Sequence, residues 1–451
     1  MTAAPQAEQE PAPAIESRQK TRPTEALVAP AELGGHPLLP YQRHVLDNGM
    51  RIIIKEIHSA PIVAVDIWVG TGAADERMDE IGISHFLEHM FFKGTEKRAA
   101  GQMDLEIKGL GGYNNAATSY DYTHYYVVLP SEHYLKALDI LSDALLHSTY
   151  PVEEIERERE VVLREIDRKE DSPWGKLYTD FLEKVFAINN YGRPILGTPE
   201  SLAPIDQKAF LDYVSRTYHP GNLVLVISGD VDDREALESA TKIFGRLPAR
   251  KAKKEESFPI PDLKEPVEFT ILKDVQSAYL VMGYPTESLR STPDEYALDL
   301  AASILGDGKS SWLYRILKEE RGLVTDADAF FWTLERAGLF GLEAACEAQD
   351  LPEVEKILFE QIEKLRRGEF TDAEIQKAKN QIISDYAFGT EKAASIAGTF
   401  GEYEVTSTIE DAVLYTDRIS KVTREQIVEA VARHLKPGNY TKGVLKPQES
   451  S

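Results

Sequence analysis

The period of apolar and polar positions changes several times along the chain, and each change marks an element. Residues 51–57 and 62–69 are rich in Ile and Val with partial alternation, and follow the turn signal Asp47-Asn48-Gly49. They are expected to be strands forming a hairpin or a sheet edge. Residues 81–92 read as a helix and 122–129 as a strand. Residues 131–147 read as a helix with Leu135, Leu138, Leu141 and Leu145 on one face. Pro151 opens a charged helix reaching about residue 170, and 223–227 is a short apolar strand ending in Ser228-Gly229-Asp230. Folding is expected to begin near Tyr41. Residues 1–40, rich in Ala, Pro, Glu and Gln, read as a disordered leader and arm.

The pattern also repeats. Tyr218-His219-Pro220-Gly221-Asn222 is echoed by Leu435-Lys436-Pro437-Gly438-Asn439, 217 residues later. The helix from Ser131 and the start at Pro151-Val152-Glu153-Glu154 are echoed by the helix from Leu351 and the start at Thr371-Asp372-Ala373-Glu374, with Glu154 and Glu374 220 apart. In the later copy Thr371 and Glu374 have capping-box spacing. Two agreeing offsets imply an α+β chain of two similar halves, 41–246 and 267–447, joined by a Lys-, Glu- and Pro-rich linker at 247–266.

Composition narrows the function. The formal net charge is −24, from 51 basic and 75 acidic side chains. Such a chain repels phosphate backbones and anionic lipid, so neither nucleic acid nor membrane is an expected partner. No stretch is apolar and long enough to span a bilayer. Residues 1–40 lack an apolar signal core, so the expected compartment is the cytoplasm. The single cysteine, Cys346, excludes an intrachain disulfide and thiolate metal sites, and reads as a core residue. Gly306-Asp307-Gly308-Lys309-Ser310 imitates the end of a phosphate loop, but Ser303 stands where that loop needs a glycine. None of the ten histidines lies between His219 and His434, so chemistry that needs two histidines belongs to the first half.

That chemistry centres on His85-Phe86-Leu87-Glu88-His89. Histidines four apart on a helix share a face, and both imidazoles reach one Zn²⁺ at about 2.0–2.1 Å. Glu88 points to the same side and suits the general base, since zinc brings the pKa of bound water towards about 7. A catalytic zinc needs a third protein ligand. On the helix from Pro151, both Glu158 and Glu165 lie on the face that carries Val161 and Val162, and the pattern alone leaves both open. Glu156 and Glu160 look outward.

The run from His85 to Thr95, followed by Glu156 to Glu165, resembles the pitrilysin/insulinase family of zinc peptidases, whose members carry H-x-x-E-H and then a Glu some 75 residues on. Here 75 residues separate His89 from Glu165. The resemblance implies Glu165 as the third ligand and Glu158 as the acid that orients a ligating histidine. It extends to Asn115-Ala116-Ala117-Thr118, with Asp121, Thr123, Tyr125 and Tyr126, which resemble the family's substrate-side edge strand. It also takes in Tyr191-Gly192-Arg193-Pro194-Ile195-Leu196-Gly197-Thr198 and both Pro-Gly-Asn segments. An edge strand binds an extended peptide by its backbone.

One departure stands out. Active relatives usually carry an Arg and, seven residues on, a Tyr in the second half, which hold the substrate and the tetrahedral intermediate. Here those positions are Lys318 and Thr325. Thr lacks the reach of Tyr, and Lys lacks the planar fork of Arg. Smaller members of the family work as pairs that close like a clamshell. The resemblance therefore implies a zinc-bearing, processing-peptidase-like subunit whose zinc-less homologous partner supplies Arg and Tyr. The alternative is a catalytically silent assembly subunit.

Overall fold

The computed structural model describes residues 36–251, 258–263 and 265–448. Most of the expected leader, and residues 252–257 and 264 of the expected linker, lie outside them. The first half holds strands β1 (Gln42–Val45), β2 (Arg51–Glu56), β3 (Ile62–Val69), β4 (Tyr113–Thr118), β5 (Thr123–Pro130) and β6 (Leu223–Gly229). Its helices are α1 (Ile83–Met90), α2 (Gln102–Gly109), α3 (Tyr134–His147), α4 (Val152–Asp171), α5 (Pro173–Val185), α6 (Pro199–Leu202), α7 (Gln207–Thr217) and α8 (Asp233–Phe244). The second half holds β7 (Val267–Lys273), β8 (Ala278–Glu287), β9 (Val324–Thr333), β10 (Ala337–Cys346) and β11 (Thr441–Pro447). Its helices are α9 (Pro293–Leu305), α10 (Leu351–Arg366), α11 (Asp372–Gly389), α12 (Ala393–Thr406), α13 (Ile409–Lys421) and α14 (Arg424–His434).

The two sheets repeat one topology. The first runs β1-β2-β6-β3-β5-β4 and the second β7-β11-β8-β10-β9. In each, the last strand pairs parallel to the first strand of the repeat and antiparallel to the next, β6 with β2 and β3, β11 with β7 and β8. Thr371 and Glu374 do form a capping box at the start of α11.

Two local expectations change. Asp47-Asn48-Gly49 does turn the chain, but it joins β1 to β2. β2 and β3 are not a hairpin, because β6 lies between them. Both are interior strands with near-continuous buried runs, the pattern of strands covered on both faces. Leu138, Leu141 and Leu145 of α3 are buried, but Leu135, in its first turn, is 52% exposed. Gly306-Asp307-Gly308 follows a helix, without the strand a phosphate loop requires. Cys346 is buried, and burial pushes its thiol up to about 11.

Each half covers one face of its own sheet with its own helices, such as α3 on β3 and β5. The opposite face is covered by the other half. Helix α12 crosses β3 and β6, burying Ile396, Ala397 and Phe400 against Ile53, Trp68, Val224 and Val226. Helix α5 crosses β8 and β11, burying Leu177 and Phe181 against Val281, Leu339 and Leu445. α5 and α12 start 220 residues apart, the interval of the repeat, so the exchange is reciprocal. Each large apolar side chain so buried contributes about 1.5–3 kcal/mol.

The contact of α12 with β3 is close enough to demand glycine. A Cβ on Gly401 would stand 2.1 Å from the Trp68 ring. Alanine is favoured over glycine inside a helix by about 1 kcal/mol, so Gly401→Ala sets propensity against packing. Packing should win: the variant is expected to lose roughly 1–3 kcal/mol of stability, read as a lower midpoint in urea unfolding.

Candidate active site

Helix α1 is held from two sides. Its apolar residues Ile83, Phe86, Leu87 and Met90 enter a core shared with Ile155 and Val162 of α4 and Phe210 of α7. Its N-terminus starts at Gly82, whose φ of 93° is open to glycine, and where a Cβ would stand 2.7 Å from Gly197. No side chain of α1 caps it. Glu76, 2% exposed, does so from outside: its two oxygens accept Gly82 N–H at 2.7 Å and Ser84 N–H at 2.8 Å. Burial raises the Glu76 carboxyl to about 8, against the pull of those two bonds.

On α4 the stripe Ile155, Glu158, Val162, Glu165 faces α1, at helical spacing. It brings Glu165 Oε2 to 3.6 Å from both His85 Nε2 and His89 Nε2. Among the described residues these three form the one group suited to a metal ion, with ligand atoms all within 4.8 Å of one another. Ligands about 2.0–2.2 Å from a tetrahedral zinc stand roughly 3.3 Å apart. Two imidazoles and one carboxylate, with one position left open, fit a catalytic zinc.

Each of the three side chains is held differently. His89 Nδ1 lies 3.2 Å from Glu158 Oε2, and Lys93 Nζ donates to Glu158 Oε1 at 2.6 Å. Burial would raise the Glu158 carboxyl, but the bonds from His89 and Lys93 outweigh it and hold it below its ordinary value. His85 Nδ1 is buried with no hydrogen-bond partner, so packing fixes this ring, which stands edge-on to His89. Burial first, then the charges of His89 and Lys169, push His85 down to about 3. It is therefore neutral at pH 7, the form that ligates metal. Glu165 is 41% exposed and opens the site to solvent.

Glu88 lies beside this cluster. Thr118 Oγ1 donates to Glu88 Oε2 at 2.7 Å, and burial raises the carboxyl above its ordinary value. Thr118 ends β4, the outer strand of the first sheet, which pairs with β5 alone. Asn115 and Ala117 are exposed on β4, while Ala116 and Thr118 are half-buried. The neighbouring residues divide. Tyr125 is buried, stacked on Phe91 at 3.6 Å, and bonded to Tyr218. Asp121 is buried between the halves, taking Tyr191 Oη at 2.5 Å and Glu335 N–H at 2.8 Å. Reading the sequence missed Glu76, Lys93 and the Thr118–Glu88 bond. Lys93, four residues after His89, carried a signal. Glu76 carried none.

An inverted His-x-x-Glu-His helix facing a carboxylate helix, in one of two like α+β halves, is an arrangement that suits a metallopeptidase. The comparisons agree. Residues 51–199 match the family model described as Insulinase (Peptidase family M16), and 204–382 that described as Peptidase M16 inactive domain. The chain is 32% identical over 349 residues to an uncharacterized zinc protease of Rickettsia felis, covering 77% of this chain and 84% of that one. It is 29% identical to the uncharacterized zinc protease YmxG of Bacillus subtilis, covering 90% and 98%. A solved protease from Helicobacter pylori superposes with a TM-score of 0.83 at 26% identity, over 90% of this chain and 99% of that one. The chain belongs to the insulinase, or pitrilysin, family of peptidases.

If Glu158 orients His89, Glu158→Ala should weaken zinc binding about 10–100-fold. Competition against a chromogenic chelator reads this directly. Unchanged affinity would show that packing alone places His89.

Proposed function

We propose that this chain is a zinc metalloendopeptidase, with His85, His89 and Glu165 as metal ligands and Glu88 as general base. The observation that carries it is the gathering of those three ligand atoms next to a carboxylate tethered to an open sheet edge. Zinc bound there supplies a Lewis acid that lowers the pKa of bound water towards about 7. The rest of the chemistry falls to the chain. Thr118 occupies Oε2 of Glu88, which leaves Oε1 to take the proton of the attacking water. The same carboxyl returns that proton to the leaving amine. Burial moves Glu88 towards neutrality, which suits a group that is base and then acid. The free edge of β4, at Asn115, Ala116, Ala117 and Thr118, accepts the substrate backbone as an added strand and lays the peptide past Glu88.

A partner belongs to the same proposal. Lys318 Nζ donates to the Thr325 carbonyl at 2.6 Å, so the two residues engage each other. The zinc-less homologous subunit of a clamshell heterodimer is then the source of Arg and Tyr.

Zinc analysis with a peptidase assay, on the wild type and Glu88→Gln, tests the core of this. One zinc per chain in both, with cleavage lost only in the variant, is expected. No zinc in the wild type would overturn the metal site and favour a silent assembly subunit. A second test addresses the partner. Lys318→Arg with Thr325→Tyr should raise kcat/KM of the isolated chain by roughly tenfold or more. If the isolated wild type already works at the rate of the assembled pair, no partner is needed.

A further inference from the structure

A cavity of about 560 Å³ lies between the halves, lined in part by Glu76 and by none of His85, His89 and Glu165. Its walls carry six cationic side chains, Arg77, Arg193, Arg216, Arg250, Lys251 and Arg336. They carry only three carboxylates, those of Asp75, Glu76 and Glu335. Over the whole chain acids outnumber bases, 75 to 51. This cavity reverses that ratio.

The carboxylates present are already engaged. Asp75 pairs with Arg336 Nη1 at 2.9 Å, Arg336 Nη2 also donates to Asp121 Oδ1 at 3.4 Å, and both oxygens of Glu76 accept N–H groups at the start of α1. Arg193, Arg216 and Arg250 each give one nitrogen to the protein, to Glu76 O, Glu80 Oε2 and Ser215 O. The other nitrogens of these forks have no protein acceptor among the described residues. Arg77 and Lys251 have no side-chain partner there at all. Arg336 Nε, on a side chain 6% exposed, is buried without a hydrogen-bond partner, as is His219 Nδ1. Arg216 and Arg336 are ion-paired, but the lining still has more cations than carboxylates, and an entering anion would meet the unused donors.

We propose that this cavity binds a small multivalent anion bearing phosphate or carboxylate groups. Guanidinium forks match both bidentately. The volume lies in the usual range for small-ligand sites, about 300–1,000 Å³. The lining has no Phe, Tyr or Trp, and its cationic side chains are the main recognition elements. Arg336 comes from the β9–β10 turn of the second half and Arg193, Arg216 and Glu76 from the first, so the anion bridges the halves beside the start of α1.

The test is calorimetric titration of the full chain at low ionic strength with inorganic triphosphate and, in parallel, with citrate. It is run on zinc-loaded and zinc-depleted protein, because both anions chelate metal. One saturable site with the same Kd in both forms is expected, together with a rise in Tm. Arg77→Glu with Lys251→Glu, both exposed positions outside the proposed catalytic groups, should weaken it roughly tenfold or more. Tighter triphosphate marks a phosphate ligand, and tighter citrate a carboxylate one. No saturable heat with either, loss of binding on zinc depletion, or an unchanged Kd in the double variant would each overturn the proposal.

Discussion

Neither half can bury its own sheet. Strands β2, β3 and β6 are apolar on both faces, and the helices of the first half cover only one of them. The second sheet has the same shortage. The exchange of α5 for α12 resolves both at once, and the position of everything polar follows from it. Helix α4 carries Glu158 and Glu165 and runs, through the single residue Ser172, into α5. Ser172 caps α5 by accepting Gly175 N–H. Because α5 is clamped on β8 and β11, the end of α4 is held there too. Among the described residues the second half has no group suited to a metal ion, yet it fixes the helix that carries Glu165.

Apolar contact alone would leave the angle between the halves loose, since it has no direction. Charged contacts set it. Glu404 of α12, 5% exposed, meets Arg43 at 2.8 Å and Arg51 at 3.2 Å on the first sheet. Across the other side, Asp121 and Tyr191 of the first half meet the backbone of Glu335 and Arg336. Buried charges are costly unless paired and hydrogen-bonded, and these are both. Asp121 lies in the turn that joins β4 to β5, three residues after Thr118. The strand end that holds Glu88 is therefore pinned to the second half as well.

What the sequence disclosed was what acts locally. The preference for Glu165 over Glu158 came from the family resemblance alone; the His85–His89 motif, both Pro-Gly-Asn turns and the Thr371 capping box depend on residues a few positions apart, so they show in the pattern. The repeat was legible for the same reason, twice over. Strand pairing was not. β6 enters between β2 and β3 from more than 150 residues away, and a strand buried on both faces looks the same beside any neighbour. The reciprocal exchange, Glu76 beneath α1 and Asp121 between the halves rest on contacts across the fold, for which no local period exists. Asp121 shows the consequence: its place beside the edge strand was visible, and its engagement with the second half was not.

Four glutamates lie on or around α1, and their surroundings separate them. Glu76 is fully enclosed and spends both oxygens on helix N–H groups, so it builds the helix and has nothing left for chemistry. Glu158 is held below its ordinary pKa between His89 and Lys93, a fixed anion suited to orient an imidazole. Glu165 is the most open to solvent of the cluster, and its near partners are the two histidine nitrogens. Glu88 alone is raised by burial while keeping one oxygen without a hydrogen-bond donor. A carboxylate that must take up a proton and release it needs a shifted pKa and a free oxygen together, and of the four only Glu88 has both.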